Sequence, residues 1–197
     1  MVKEPVLGRV KSRLAREIGP VAATAFYRAN LAAVIARLGR DARWRTELAI
    51  APDAAVVTRA VTGSVARRGQ GQGDLGERMQ RILNRVPPGP ALVVGTDIPA
   101  ISAAHIAEAF RRLRGHDAVL GPTPDGGYWL VGLARVPRTP SRIFTSVRWS
   151  GPHALADTCA NLSAKRVAFA PRLRDVDEAH DLRAERAMVS RRVLPVR

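Results

Sequence analysis

Amphipathic helical stretches alternating with short, uninterrupted apolar runs leave this chain little choice of fold class. Tyr27, Leu31, Val34, Ile35 and Leu38 fall on one face of a long helix by their spacing. Met79, Ile82, Leu83 and Val86 repeat that pattern, as do Ile106, Phe110 and Leu113. Between the helices, Glu47–Ala51, Ala91–Val94 and Asp117–Leu120 are too short for helices, are bounded by Pro or Gly, and read as buried parallel strands. Tyr128–Leu133 and Val167–Phe169 complete the strand list. The pattern predicts an α/β fold, an open and mostly parallel sheet with helices on both faces. With 197 residues and 46% hydrophobic content, residues 1–197 are expected to form a single domain with one active-site crevice. Gly63, Gly69, Gly71 and Gly73 mark residues 62–73 as a mobile loop.

The charge balance needs a reading of its own. A net charge of +15 ordinarily suggests nucleic acid, because clustered cations release counterions from phosphates. Here only Lys3, Lys11 and Lys165 are lysines among 32 basic residues, and the arginines are spread along the whole chain. That distribution argues against a nucleic-acid-reading face, while the general cationic field still attracts anionic substrates. Cys159 is the only cysteine, which excludes an internal disulfide and a cysteine metal cluster. It lies in an apolar stretch and reads as a packed thiol. No run approaches the length of a membrane span, and the amino terminus lacks the apolar core of a signal peptide. The expectation is a cytoplasmic protein with no membrane span.

Three distant segments carry the chemistry. In the first, Gly8 lets the backbone approach a ligand closely, and Lys11, Ser12 and Arg13 sit where a helix begins, offering free N–H groups as well as cations to a phosphate. It is not a Walker A loop, because Val10 precedes the Lys-Ser pair where that motif demands Gly. In the second, Asp97 follows the apolar run Leu92–Val94 and stands at the carboxyl end of a strand, where ligands of open α/β sheets gather. Ser102 is the better cap for the helix that follows, which frees Asp97 for function. In the third, Asp175 and Asp177 flank Val176; Asp177 reads as the N-cap of the next helix, leaving Asp175 as the second metal ligand. A metal held by few carboxylates plus substrate phosphates is the usual magnesium arrangement.

Two glycine-bearing segments complete the candidates. Asp74 and Glu77 form a capping box, and the Gln70 and Gln72 amides with Gly73 are placed to line a nucleotide-base pocket. Asp125, Gly126 and Gly127 make a tight turn before a strand, with side chains that can face an acceptor. The four histidines show no metal-ligand spacing, and Trp44, Trp129 and Trp149 read as packing residues. The phosphate loop arrives oddly early: only Met1 and Val2 precede Lys3, so the strand that should feed it is missing. Losing about five buried apolar side chains forfeits on the order of 10 kcal/mol, which predicts a natural protein longer at its amino end.

Residues 3–14 (Lys-x-Pro-x-x-Gly-x-Val-Lys-Ser-Arg-Leu), 73–79 (Gly-Asp-Leu-Gly-Glu-Arg-Met), 95–99 (Gly-Thr-Asp-Ile-Pro), 121–133 and 174–177 (Arg-Asp-Val-Asp) together resemble a bacterial family of glycosyltransferase-A-fold proteins. Its members are labelled glycosyltransferase-like or radical-SAM/selenodomain-associated transferases. More distantly the pattern is similar to 2-phospholactate and molybdenum-cofactor guanylyltransferases. The resemblance implies a nucleotide-diphospho-sugar transferase-like domain, Asp97 at the metal position, Asp175 as the second metal-side carboxylate, and Lys11 and Arg13 as phosphate-loop cations. It departs at Glu178-Ala-His180, where the family has Thr-Pro-Glu.

These readings converge on a transferase dependent on Mg2+ or Mn2+ that takes a nucleotide or nucleotide-sugar donor and a small-molecule acceptor. Lys3, Gly8, Lys11, Arg13, Gln72, Gly73 and Asp97 are the nucleotide-binding candidates, with Lys11, Arg13 and Asp97 catalytic. Nucleotidyl transfer to a phosphorylated or hydroxyl acceptor leads, because a triphosphate gives the cationic loop more charge to bind. Glycosyl transfer and a non-catalytic nucleotide-binding partner are the alternatives.

Overall fold

The computed structural model describes residues 1–61, 63, 65–135 and 142–184. Among the described residues, seven strands and five α-helices follow in the order β1 (Val2–Lys3), α1 (Ser12–Ile18), α2 (Pro20–Leu38), β2 (Glu47–Ala51), β3 (Ala66–Gly69), α3 (Leu75–Arg85), β4 (Ala91–Val94), α4 (Ala103–Arg112), β5 (Ala118–Pro122), β6 (Tyr128–Leu133), α5 (Ala154–Asn161) and β7 (Val167–Phe169). Parallel β1, β2 and β3 make one sheet and β4, β6, β5 and β7 the other. The two meet at the first residues of the chain. The Met1 α-amino group donates to the Val94 carbonyl, and the Thr96 hydroxyl donates to the Met1 carbonyl. The strands therefore run β3-β2-β1-β4-β6-β5-β7 across the molecule.

The strand that the sequence reading finds missing is thus present as a two-residue stub, Val2–Lys3, in the central position. Its backbone is tied down from the helix layer: the Lys3 N–H donates to the Tyr27 hydroxyl at 2.9 Å, and that hydroxyl donates to the Lys3 carbonyl at 3.0 Å. A second correction concerns residues 62–73. Ala66–Gly69 within this stretch form β3, in register with β2 from Glu47 to Ile50. Ala-Arg-Arg-Gly has no apolar alternation, so only pairing with β2 reveals it as a strand. The sequence reading left the direction of β6 open, and it runs antiparallel to both β4 and β5. The other strand pairs are parallel, so the sheet is mostly parallel as expected.

Side chains alternate across the sheet with a period of two residues, and that sets the layers. Val119, Leu130 and Ala168 pack with Val34 and Leu38 of α2 and Ile106 and Ala109 of α4. Val93, Leu120 and Val131 point the other way, toward Met79 and Leu83 of α3 and Leu162 after α5. Helices cover both faces of the four-stranded sheet, and the core there lies in two layers. Both predicted caps form: Asp74 with Glu77, and Ser102 with His105, each make reciprocal side-chain and backbone bonds. Trp129 is buried, its indole N–H donating to the Pro171 carbonyl. Cys159 is half-buried among core residues, where burial pushes its thiol up, in keeping with a packed thiol. No helix among the described residues is long and apolar enough to cross a membrane.

Candidate active site

Parallel strands that end together bring their following loops together, and here that assembles segments far apart in sequence. The loop after β1 carries residues 4–11 into α1. Val10 and Leu14 are buried, and Leu14 packs with Val176, Ala179 and Leu182 of the carboxyl-terminal segment. The Ala179 N–H donates to the Glu17 carboxylate at 2.9 Å, fixing the same contact from the helix side. The Val176 N–H donates to the Asp97 carbonyl at 3.1 Å, so the acidic segment also docks on the loop after β4. That loop is held by α2, where the buried Asn30 amide donates to the Thr96 carbonyl at 2.7 Å.

This framework places the Lys11 ammonium between two carboxylates. It stands 3.0 Å from Asp97 and 2.8 Å from Asp177, with only 4% of its side chain exposed. Burial alone lowers its pKa, but Asp97 and Asp177 outweigh burial and leave it raised. Lys11 also sits in the left-handed region at the start of α1, with φ 49°, a conformation that ordinary side chains adopt at a cost. Arg13 is exposed and reaches Asp177 at 3.8 Å.

Asp177 is therefore an ion-pair partner, and its expected role as N-cap is corrected. Its carboxylate is drawn to Lys11, while Asp181 Oδ2 accepts from the N–H groups of Asp177 and Glu178 at the start of the helical turn that follows. Asp175 faces the other way, into a cavity it shares with Asp97, Asp125 and Gly127. Its carboxyl is pushed up to about 6 by burial and then by the Asp177 and Asp125 charges, which outweigh the opposite pull of Lys11.

The remaining candidates separate. Asp125 Oδ1 accepts from the Thr123 hydroxyl and from the Gly127 N–H at 3.0 Å, which shapes the turn that Gly126 completes at φ 83°. Gly8 also has a left-handed backbone, φ 74°, and open space where a Cβ would stand. Gln72 and Gly73 are exposed beside the capped start of α3. Gln70 is not available as a base-pocket residue, because its buried amide donates to the Val2 and Ala49 carbonyls and braces β1 against β2. Tyr128 and Trp149 line the cavity beside Asp125. The sequence reading assigned tryptophans to packing and gave Tyr128 only a strand, and nothing in local spacing separates a cavity wall from a core.

Among the described residues, no group of three His, Cys, Asp or Glu side chains is placed to hold a metal alone. A magnesium-type ion needs less: one or two carboxylates and substrate phosphates. The residues fit that demand. Asp97 and Asp177 already converge on one cationic nitrogen, and Asp97 and Asp175 share a cavity wall.

Comparison with known proteins agrees with this architecture. A crystal structure from Desulfovibrio desulfuricans G20, of a protein described as a candidate nucleotide-diphospho-sugar transferase, is similar with 27% identity and a TM-score of 0.83. The match covers 90% of this chain and 80% of that one. The glycosyltransferase-A-like fold expected from the motifs is the fold observed. None of the curated proteins matches the chain. A bacterial family, described as "Uncharacterized protein conserved in bacteria (DUF2064)", matches residues 34–151, from the end of α2 to the loop before α5, and the chain belongs to that family.

Proposed function

We propose that the chain is a transferase for a nucleotide-activated donor, and that it moves a nucleotidyl group from a nucleoside triphosphate to a small acceptor. The observation that carries the reading is the closure of the cationic loop onto the carboxyl end of β4, with Lys11 3.0 Å from Asp97. Donor phosphates and a divalent cation then belong in one crevice. Lys3, Lys11 and Arg13 neutralise the phosphates, and Gly8 leaves room for the backbone to approach them. When bound, Mg2+ or Mn2+ offsets charge on the reacting phosphate; Asp97 and Asp175 are the residues to hold it. Lys11 is engaged by carboxylates in the ligand-free protein, so its ammonium must transfer to the donor phosphates as they enter. Gln72 and Gly73 border the base, and Asp125, Gly126 and Gly127 border the acceptor.

A second reading, glycosyl transfer from a nucleotide sugar, is favoured by the description of the Desulfovibrio protein. There the same groups bind the diphosphate leaving group. A thermal-shift panel of nucleoside triphosphates and nucleotide sugars, with and without Mg2+ or Mn2+, separates the two. Ligand at about 100 times Kd adds roughly 2.7 kcal/mol of stability. A metal-dependent rise with a triphosphate alone supports nucleotidyl transfer, and one confined to a nucleotide sugar supports glycosyl transfer. No rise with either overturns the donor reading. In a turnover assay Asp97→Ala should remove metal-dependent activity while the protein still melts cooperatively.

A further inference from the structure

The crevice has two chemically different sides. On one stand Lys11 and Arg13, both within reach of Asp177. The other is a cavity of about 250 Å³ to whose wall no lysine or arginine among the described residues contributes. In a chain with 32 basic residues among 197, that sets this surface apart. The body of the cavity is apolar, formed by Leu75 and Met79 of α3, Val93 of β4, Val131 of β6, and the rings of Tyr128 and Trp149. Those two rings meet edge to face with centroids 6.3 Å apart. Its rim is acidic, carrying Asp97, Asp125 and Asp175. Two basic groups stand at its edge: the Lys11 ammonium, already paired with Asp97 and Asp177, and the Met1 α-amino group, lowered to about 6 by burial and bonded to the Val94 carbonyl.

An anionic group entering this space meets like charge on the rim and apolar walls behind it, and Lys11, the lysine nearest the rim, is already engaged by Asp97 and Asp177. A divalent ion held by Asp97 and Asp175 still leaves Asp125 facing the cavity. Asp125 Oδ1 is taken by Thr123 and Gly127, and Oδ2 makes no hydrogen bond to another described residue. That oxygen accepts and cannot donate when ionised, so it calls for a ligand hydroxyl or amine. The indole N–H of Trp149 is buried without a partner and would be satisfied by a ligand oxygen.

We propose that the acceptor is a small molecule with an apolar body that presents an uncharged hydroxyl or an amine to Asp125, and that it carries no phosphate or carboxylate. This rests on the transferase reading above, removes phosphorylated compounds from its acceptors and adds amines to the hydroxyl compounds.

The test is a competition titration by ligand-observed NMR. Benzyl alcohol is the reporter, and benzylamine, benzoate and phenyl phosphate are the competitors, so anions bound elsewhere on the basic surface do not count. Benzylamine should displace the reporter at least about tenfold more effectively than either anion, as expected where like charges are juxtaposed without a free counter-ion. Two variants locate the effect. Leu75→Lys, at an exposed wall position that tolerates substitution, should bring benzoate close to benzyl alcohol in affinity. Asp125→Asn should weaken benzylamine selectively. Displacement by the anions equal to that by benzylamine, no binding of benzyl alcohol, or a ranking unmoved by Leu75→Lys overturns the proposal. Nucleotide binding measured on the same preparation keeps the two ideas apart: its absence sinks the donor reading, while the probe ranking alone judges the acceptor class.

Discussion

The Lys11 ammonium and the Asp97 carboxylate stand 3.0 Å apart, joining the loop after the first strand to the loop after the fourth. Asp177 closes the arrangement from the carboxyl-terminal segment at 2.8 Å. The three charges are unequally buried, with Lys11 at 4% exposure and its partners at 47% and 37%. Removing a carboxylate is therefore felt mainly through the lysine left behind. Asp97→Asn alone should cost about 1 kcal/mol, because Asp177 remains. Asp97→Asn with Asp177→Asn should cost about 3 kcal/mol, more than the two single losses combined, since a buried ammonium is then unpaired. Urea denaturation of the three variants measures the coupling, and strict additivity would show that Lys11 finds another partner.

Gly8 and Gly126 share a left-handed backbone but not their surroundings. A Cβ at Gly8 meets nothing within 4 Å, whereas one at Gly126 would stand 2.3 Å from the Pro152 carbonyl oxygen. Gly8→Ala should lose only the conformational penalty, roughly 1–2 kcal/mol. Gly126→Ala should lose at least about 2 kcal/mol more, since the backbone before α5 must move. Equal losses by chemical denaturation would contradict the packing at Pro152.

The buried Asn30 amide is the link from α2 to the loop that presents Asp97. Asn30→Ala leaves the Thr96 carbonyl unpaired and should cost about 1–3 kcal/mol. Because Asp97 follows Thr96, metal or nucleotide affinity should fall as well. In Asn30→Asp, an acceptor replaces the donor, so the loss should be at least as large. Calorimetric melting and ligand titration on the two variants check both statements.

Both tyrosines of the chain, Tyr27 and Tyr128, are shifted upward chiefly by burial, Tyr27 to about 12 with the Asp97 charge adding to the effect. Ultraviolet titration of the folded protein should show almost no tyrosinate at pH 10, where the unfolded protein is half-titrated. The linked stability follows from a folded pKa above the unfolded one. The contribution of Tyr27 is fully present below pH 10 and is lost as pH rises through its folded value near 12. Tyr27→Phe removes both bonds to the Lys3 backbone and should cost about 1–3 kcal/mol at neutral pH. The gap between variant and parent should close above pH 10.

What the sequence by itself determined was local. Helical spacing placed α2, α3 and α4, the Asp74 and Ser102 boxes marked two helix starts, and short apolar runs located β2, β4, β5, β6 and β7. Each of these signals is written within a few residues, where periodicity and capping act. Asp97 was legible for the same reason, as the acid that ends an apolar strand. Tertiary structure decided the rest. Val2–Lys3 and Ala66–Gly69 carry too few apolar side chains to announce a strand and become strands only by pairing with β2. The direction of β6 depends on its neighbours in the sheet. Gln70 turned from a candidate ligand residue into a brace because two carbonyls from different strands fall beside its amide. The choice of Asp177 as partner for Lys11 followed from Leu14 packing against Val176 and Leu182. Those outcomes depend on distances between segments remote in sequence, set by the sum of many packing contacts, and no local pattern encodes such a sum.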